Sequence, residues 1–288
     1  MELARPTDTG LLITNIDGIG PASADINTTE MATMDGSKLN STRKTERNVV
    51  IDIDFRFADD VEEARRLTYK YFPIKKELTL IITTDNRQSK LTGYVESNEP
   101  AIFDEFETTT ISIICPDPNL YAADSNENLV VVFSGMSPLF EFPLENNSTI
   151  ENLIEISSVE RSSRKNILYR GESDIGMVIT MHALAEVQNI TIWNVDTRES
   201  MIIDTDKLKS LTGDVMIAGD TIVINTIVGY KSATLVRDGI TTNILNCIDR
   251  NSTWFQLTSG DNVYFYTAEE GESNLQFQIE TKTIYEGV

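Results

Sequence analysis

The residues able to do acid–base, nucleophilic or metal chemistry are few and far apart. The chain holds one histidine, His182, and two cysteines, Cys115 and Cys247. A Ser-His-Asp or Cys-His arrangement would have to recruit His182. That residue sits in the apolar run MVITMHALA with neither cysteine near it in sequence, so a structural role is expected. The cysteines build no disulfide framework and read as buried, reduced thiols. Asp52 and Asp54 point the same way on one strand and could begin a metal site, but no further ligand-spaced carboxylates follow; a solvated outer face is expected. No paired His/Cys spacing suits zinc. Gly18-Ile19-Gly20-Pro21 lacks the third glycine of a dinucleotide fingerprint, and nothing matches a phosphate loop. With 45 Asp and Glu in the chain, acidic pairs carry no information about a glycosidase's two carboxyls. The reading is therefore no catalytic residue, no cofactor, no metal and no enzyme. Trp254-Phe255, with Tyr264 and Tyr266 across the Gly260-Asp261 turn, form either a sugar-stacking platform or, as favoured here, core. Trp193 also lies in an alternating segment expected to bury it.

Charge limits the partners. The formal net charge of −21 and pI near 4.4 argue against nucleic-acid binding, which needs basic surface to replace counterions, and against anionic membrane. There is no run of eighteen apolar residues, so no membrane span is expected. The first residues lack a basic start and a long apolar core, and we read them as unprocessed and non-secretory. Triplets such as Asn189-Ile-Thr191 and Asn251-Ser-Thr253 then say nothing about glycosylation. Twelve of the 24 basic residues lie between Lys38 and Lys90, whereas Leu91 to Glu160 has no Lys or Arg and thirteen acids. Such a block marks a solvated face or, in the sharper reading, one half of a complementary contact between neighbouring subunits.

The elements that would carry these residues fall into two β-rich halves. Residues 11 to 20 suggest a strand entering an Asp-Gly turn, and 22 to 45 a long mobile loop or arm. In NVVIDIDFRF, Val49, Ile51, Ile53, Phe55 and Phe57 alternate with polar residues, the period of a strand with one buried face. Asp60 and Glu63 open a capped helix. Val61, Ala64, Leu67 and Tyr71 form its inner face, Arg65, Arg66 and Lys70 face outward, and Pro73 ends it. Leu78, Leu80 and Ile82 alternate in a further strand, Asp85-Asn86 turns, Leu91 to Val95 follows with Gly93 as a candidate bulge, and Phe103 to Ile114 closes an α+β domain. Pro116 and Pro118 stop the ladder. Residues 116 to 150 read as linker with one short strand, Leu129 to Phe133. The boundary is placed near Gly135, giving domains 1–135 and 136–288. The second half is almost purely β, with strands at 175–181, 187–193, 200–204, 221–226, 231–237, 241–245, 262–267 and 274–282. Asp238-Gly239 is a hairpin signal, and the whole suggests a sandwich.

The stretch from Ile102 to Tyr121, with its Cys115-Pro-Asp-Pro ending, resembles the end of the first domain of siphophage distal tail proteins. Around it stand Ile16-Asp17-Gly18, the Arg47-to-Phe57 strand, Tyr71-Phe72 and Gly93-Tyr94-Val95. In the second half follow Tyr169-Arg170-Gly171, Ile190 to Trp193, Ile203-Asp204-Thr205, Gly219-Asp220-Thr221-Ile222, Ser252-Thr-Trp254-Phe255-Gln-Leu257 and Gly260-Asp261-Asn262. Their joint order, not any one motif, carries the resemblance. It implies an N-terminal α+β belt domain with one helix and an outward galectin-like β-sandwich. It further implies a homohexameric hub at the distal end of a phage tail, assembled in the bacterial host cytoplasm. The partners implied are the tail tube protein, the tail-tip protein and receptor-binding proteins, with DNA passing through the channel unbound. The rival readings are a carbohydrate-binding adhesion module recognising a host surface glycan, and a glycan hydrolase.

Overall fold

A computed structural model describes residues 3, 5–32, 35–124, 128–138, 157–161 and 163–288. The chain separates into two compact units, Met1–Ser125 with Ile284–Val288, and Asn126–Thr283.

The first unit begins with a single helical turn, α1 (Pro6–Thr9), and β1 (Leu12–Asp17). Where a loop was expected, β2 (Ala24–Glu30) and β3 (Ser37–Lys44) form an antiparallel hairpin whose residues are nearly all exposed. Cross-strand polar pairs hold it: Asn40 to Thr29 at 2.6 Å and the Arg43–Asp25 ion pair at 2.9 Å. These Thr-rich segments favour the extended state, and such pairs are the unit of sheet stability. Loop composition had hidden the hairpin.

β4 (Arg47–Asp54) is the central strand. Val49, Ile51 and Ile53 are buried and face Ile113, Ile111 and Thr109 of β7 (Thr108–Cys115). α2 (Val61–Tyr71) follows; the Asp60 carboxylate accepts from the Glu62 and Glu63 amides at 2.9 and 3.2 Å, satisfying two helix-start donors. β5 (Glu77–Thr83) and the long β6 (Gln88–Ala101) pair antiparallel. β8 (Leu120–Ala122) also joins β6. The hydrogen-bonded order is β1-β4-β7-β6-β8, with β5 on the other side of β6. Leu11, Phe55, Ala64, Leu91 and Val95 complete the core, each large apolar side chain contributing about 1.5–3 kcal/mol on burial.

Several expectations here need correction. Phe57 is 52% exposed and Tyr71 41%, because β4 ends at Asp54 and the helix buries Ala64 and Thr68 instead. The irregularity in β6 falls between Val95 and Ser97. Gly93 is a close approach: a Cβ there would lie 2.6 Å from Cys115 Sγ. The strand expected from Phe103 starts at Thr108, and Phe103 is fully exposed.

The second unit opens with β9 (Leu129–Val132), β10 (Ser134–Pro138) and β11 (Ser157–Arg161), the last two paired with each other. β12 (Arg164–Tyr169), β13 (Ile175–Gly176), β14 (Val178–Ala183), β15 (Gln188–Asn194) and β16 (Glu199–Ile203) follow. After α3 (Thr205–Thr212) come β17 (Thr221–Asn225), β18 (Ser232–Arg237) and β19 (Ile240–Asn243). The unit closes with β20 (Gln256–Leu257), β21 (Gly260–Glu270) and β22 (Leu275–Thr281). A six-stranded sheet, β19-β18-β17-β14-β22-β9, packs on a four-stranded one, β12-β21-β15-β16. Tyr266 of the smaller sheet stacks on Phe277 of the larger, centroids 4.9 Å apart, and Phe133 meets Phe277 edge-on at 4.7 Å. This is a sandwich core. Asp238 and Gly239 have φ 51° and 77°, the positive pair that a two-residue I′ hairpin turn requires.

β23 (Ile284–Tyr285) returns to the first unit and pairs with β8. The unit boundary thus lies at residues 125 and 126 rather than near Gly135, and the last five residues leave the second unit. Phe133, expected just before the boundary, is part of the sandwich core. Pro143, with residues 125–127 and 139–150 of the expected linker, lies outside the described residues.

Candidate assembly surface

The residues singled out for chemistry are not brought together. His182 lies half-buried on β14, its Nδ1 2.9 Å from the Thr221 hydroxyl on the neighbouring strand. Cys115 ends β7 in the first unit's core, and burial pushes its thiol up to about 11, against a partial pull downward from Arg47. Burial also raises Cys247. Neither thiol is a useful nucleophile near neutral pH. Asp54 is not solvated: it is 2% exposed, accepts from the Arg56 amide and Nε at 2.8 Å each, and pairs with the same guanidinium. Asp52 accepts from the Thr110 hydroxyl at 2.6 Å. The two carboxylates serve separate structural tasks. Among the described residues no cluster of three or more His, Cys, Asp or Glu could hold a metal ion.

Two arginines, Arg47 buried and Arg237 half-buried, show how each unit is held. Arg47 donates from Nε to the Pro118 carbonyl (2.8 Å), from Nη1 to the Gly18 (2.7 Å) and Gly20 carbonyls, and from Nη2 to the Glu286 carbonyl (3.4 Å). Burial lowers its pKa, with partial compensation from Cys115 and Glu286. Arg87 stacks on Tyr285 at 4.0 Å, and Lys44 pairs with Glu286 at 2.8 Å, so the C-terminal segment is clamped to the first unit. In the second unit Arg237 forks onto Asp220 at 2.9 and 2.6 Å and donates to the Val215 carbonyl.

The first unit leaves a cluster of apolar side chains outside and an apolar groove open. Between the edges β1 and β5 runs a groove of about 730 Å³, lined by Leu3, Ile13, Ile16, Phe72, Leu78 and Leu80 among others. On its rim Tyr71 carries the Lys70 ammonium 5.5 Å from its ring. Lys75 and Lys76, both exposed, connect α2 to β5. Lys75 adopts φ 66°, its amide bonded to the Val95 carbonyl at 2.9 Å, which fixes how this turn presents its lysines. The connection between β6 and β7 is the segment Ile102-Phe103-Asp104-Glu105-Phe106-Glu107. Ile102, Phe103 and Phe106 are 40%, 100% and 58% exposed. Arg56 lies over the Phe106 ring at 5.5 Å, and Arg65 of α2 holds Glu107 at 3.0 Å.

In the second unit Trp254 is half-buried under the Lys231 ammonium, and Phe255, Tyr264 and Tyr266 are buried. Trp193, expected inside, is 40% exposed on the outer face of the smaller sheet, opposite Phe265 and Ser200 in register. Its strand alternates as expected, but Ile190 and Ile192 take the inner positions. Asn194 accepts from the Asp196 and Thr197 amides at 3.0 and 3.2 Å, so the loop beyond Trp193 is tied down. Sequence reasoning missed the Ile102–Glu107 tip by reading Phe103 as the start of a strand; its signal was the alternation of aromatic and acidic residues outside any strand pattern.

No protein-family model matches the chain, and comparison with curated proteins finds no match. Solved structures do resemble it. The crystal structure of the SPP1 Dit (gp 19.1) protein, described as a paradigm of hub adsorption apparatus in phages infecting Gram-positive bacteria, aligns with a TM-score of 0.58 at 13% identity. It covers 96% of this chain and 95% of that one. The phage P2 baseplate in its activated conformation, with Ca and with Sr, gives TM-scores of 0.43 and 0.40, each at 10% identity and covering 95% of this chain and 91% of the other. At these identities the likeness to SPP1 Dit shows a shared fold.

Proposed function

We propose that the protein is the structural hub of a phage or phage-derived tail tip, a hexameric ring joining the tail tube to the tip and receptor-binding apparatus. The observation that carries this reading is the fold: both units, in order, follow the SPP1 Dit structure over nearly the whole of both chains. The residue order noted in the sequence supports the same conclusion independently of the coordinates. The acidic balance of −21 suits a channel through which DNA moves without adhering. The first unit forms the belt and the second serves as a docking platform, using loops near Asp196-Thr197 and Gly271-Glu272. The protein acts by positioning other proteins rather than by chemistry. Negative-stain electron microscopy of the purified chain, alone and with a tail tube protein, tests the proposal: rings of six are expected, and particles of single-chain size in both preparations would overturn it.

One observation favours a second reading. The exposed indole of Trp193 offers a face on which a sugar ring could stack, as the adhesion-module alternative needs. Fold alone does not supply such a site. Glycan-array binding that disappears in Trp193→Ala, with folding intact, would establish it.

A further inference from the structure

We infer that the Ile102–Glu107 tip of one copy seats in the apolar groove between β1 and β5 of the next, making the contact that repeats around the ring. The inference rests on the hub reading and names the surfaces that reading needs. A phenylalanine exposed over its full surface, flanked by Ile102 and Phe106, is costly to leave in water in a monomer. The groove offers the complementary feature, an open apolar cleft of about 730 Å³, large enough for aromatic side chains. The tip does not fill the groove of its own chain, since Phe103 is entirely exposed.

Charge selects a second copy as the occupant. The tip carries Asp104, Glu105 and Glu107 within the stretch that has no Lys or Arg from Leu91 to Glu160. Lys70 lies over the groove-lining Tyr71, and Lys75 and Lys76 sit in the short connection between the groove-lining Phe72 and Leu78, all three part of the basic region from Lys38 to Lys90. The apolar parts match and the charges are opposite, so one surface attracts the other and repels its own kind. A contact between two different patches of the same chain is heterologous: it propagates head to tail and closes when the rotation allows. The tip is anchored on its own subunit by Arg65–Glu107 and by Arg56 over Phe106, and the rim by the Lys75 amide on Val95. Both halves are therefore held in place before they meet, which limits the entropy lost on association.

Three variants of the full chain test this. Phe103→Asp should weaken assembly by at least about tenfold in dissociation constant, as expected for a central aromatic anchor, with an unchanged circular-dichroism spectrum. Asp104→Lys with Glu105→Lys should weaken it, and adding Lys75→Glu with Lys76→Glu in the same chain should restore it. Phe103→Cys with Ile81→Cys should give, on mild oxidation, a ladder of covalent species beyond the dimer, because each chain offers both partners; the native cysteines are buried and stay out of the reaction. Wild-type rings with no ladder, and rings unchanged in Phe103→Asp, would overturn the inference while leaving the hub reading standing. A wild-type chain that stays monomeric, alone and with a tube protein, would overturn both.

Discussion

In the second unit Phe133, Tyr266 and Phe277 interlock between two sheets, and Phe255 meets Tyr264 edge-on at 5.5 Å. In the first unit Phe103, Phe106, Ile74 and Ile81 face solvent, and an apolar groove lined in part by Ile81 stands open. In the sandwich the core rings pack against one another, while Trp193 and Tyr230 stay exposed outside it. The first unit has a core as well, built on Val49, Ile51, Ile53 and Phe55, and on the proposed hub reading it keeps part of its apolar surface for a neighbouring copy. The second unit should therefore answer to core mutations as an autonomous domain does, and the first should be most sensitive, at its exposed sites, in assembly rather than folding.

The largest effect on folding is expected from Phe277→Ala. It removes a ring with two aromatic neighbours and should cost about 3–5 kcal/mol, read as a lower denaturation midpoint of the second unit. A loss near zero would mean that the two sheets are not packed through this residue. Asp220→Ala leaves the Arg237 guanidinium, 18% exposed, without the carboxylate that is 2% exposed beside it. Breaking such a pair costs about 3 kcal/mol, and Asp220→Asn should recover part of that by keeping one acceptor. Asp60→Ala in the first unit removes the α2 cap and should cost about 1 kcal/mol. Phe103→Ala should change stability by no more than about 0.5 kcal/mol yet impair assembly; a large folding defect there would erase the contrast between the units.

Acid sensitivity sharpens the picture at a smaller scale. The hydrogen bond from the Arg56 side chain, opposed by burial and aided by the Arg56 amide, holds the Asp54 carboxyl below its usual value. Asp204, capping α3 through the Lys207 amide, is lowered as well. A folded-state pKa below the unfolded one contributes stability that is present above the unfolded value, about 3.9 for Asp, and is lost as pH falls through the folded value. Asp54→Asn should flatten the acid limb of the stability profile of the first unit. Cys115 has the opposite sign: its contribution is present below the ordinary thiol value and lost as pH rises toward about 11. Its thiol should react with a disulfide reagent at pH 8 only after unfolding; prompt reaction in the folded protein would contradict its place in the core.

Much of this was legible in the sequence, for physical reasons that also mark where legibility stops. Period-two alternation at Val49 to Phe55 and Leu275 to Ile279, the Asp60 cap and the Asp238-Gly239 turn are local signals, and local structure follows them. The β2–β3 hairpin was missed because its stability comes from cross-strand polar pairs, which composition does not show. α3 was missed because eight residues, TDKLKSLT, carry too few apolar positions to set a helical period, although Asp204 is its cap. The return of residues 284–288 to the first unit depends on distant partners, Arg47 and Arg87, that no window reveals; Asp54 is held by Arg56 only two residues on, a local pairing that the alternation of β4 masked. Of the assembly surface, the charge asymmetry was visible and the groove was not, because its walls come from β1, α2 and β5 together.

The most direct test of the hub account is the mass of the purified chain in solution. Analytical ultracentrifugation across a range of salt concentrations, with and without a tail tube protein, should find a species of six times the 32.2 kDa chain, dissociating as salt screens the acidic tip from the basic rim. A single 32.2 kDa species under every condition would contradict it.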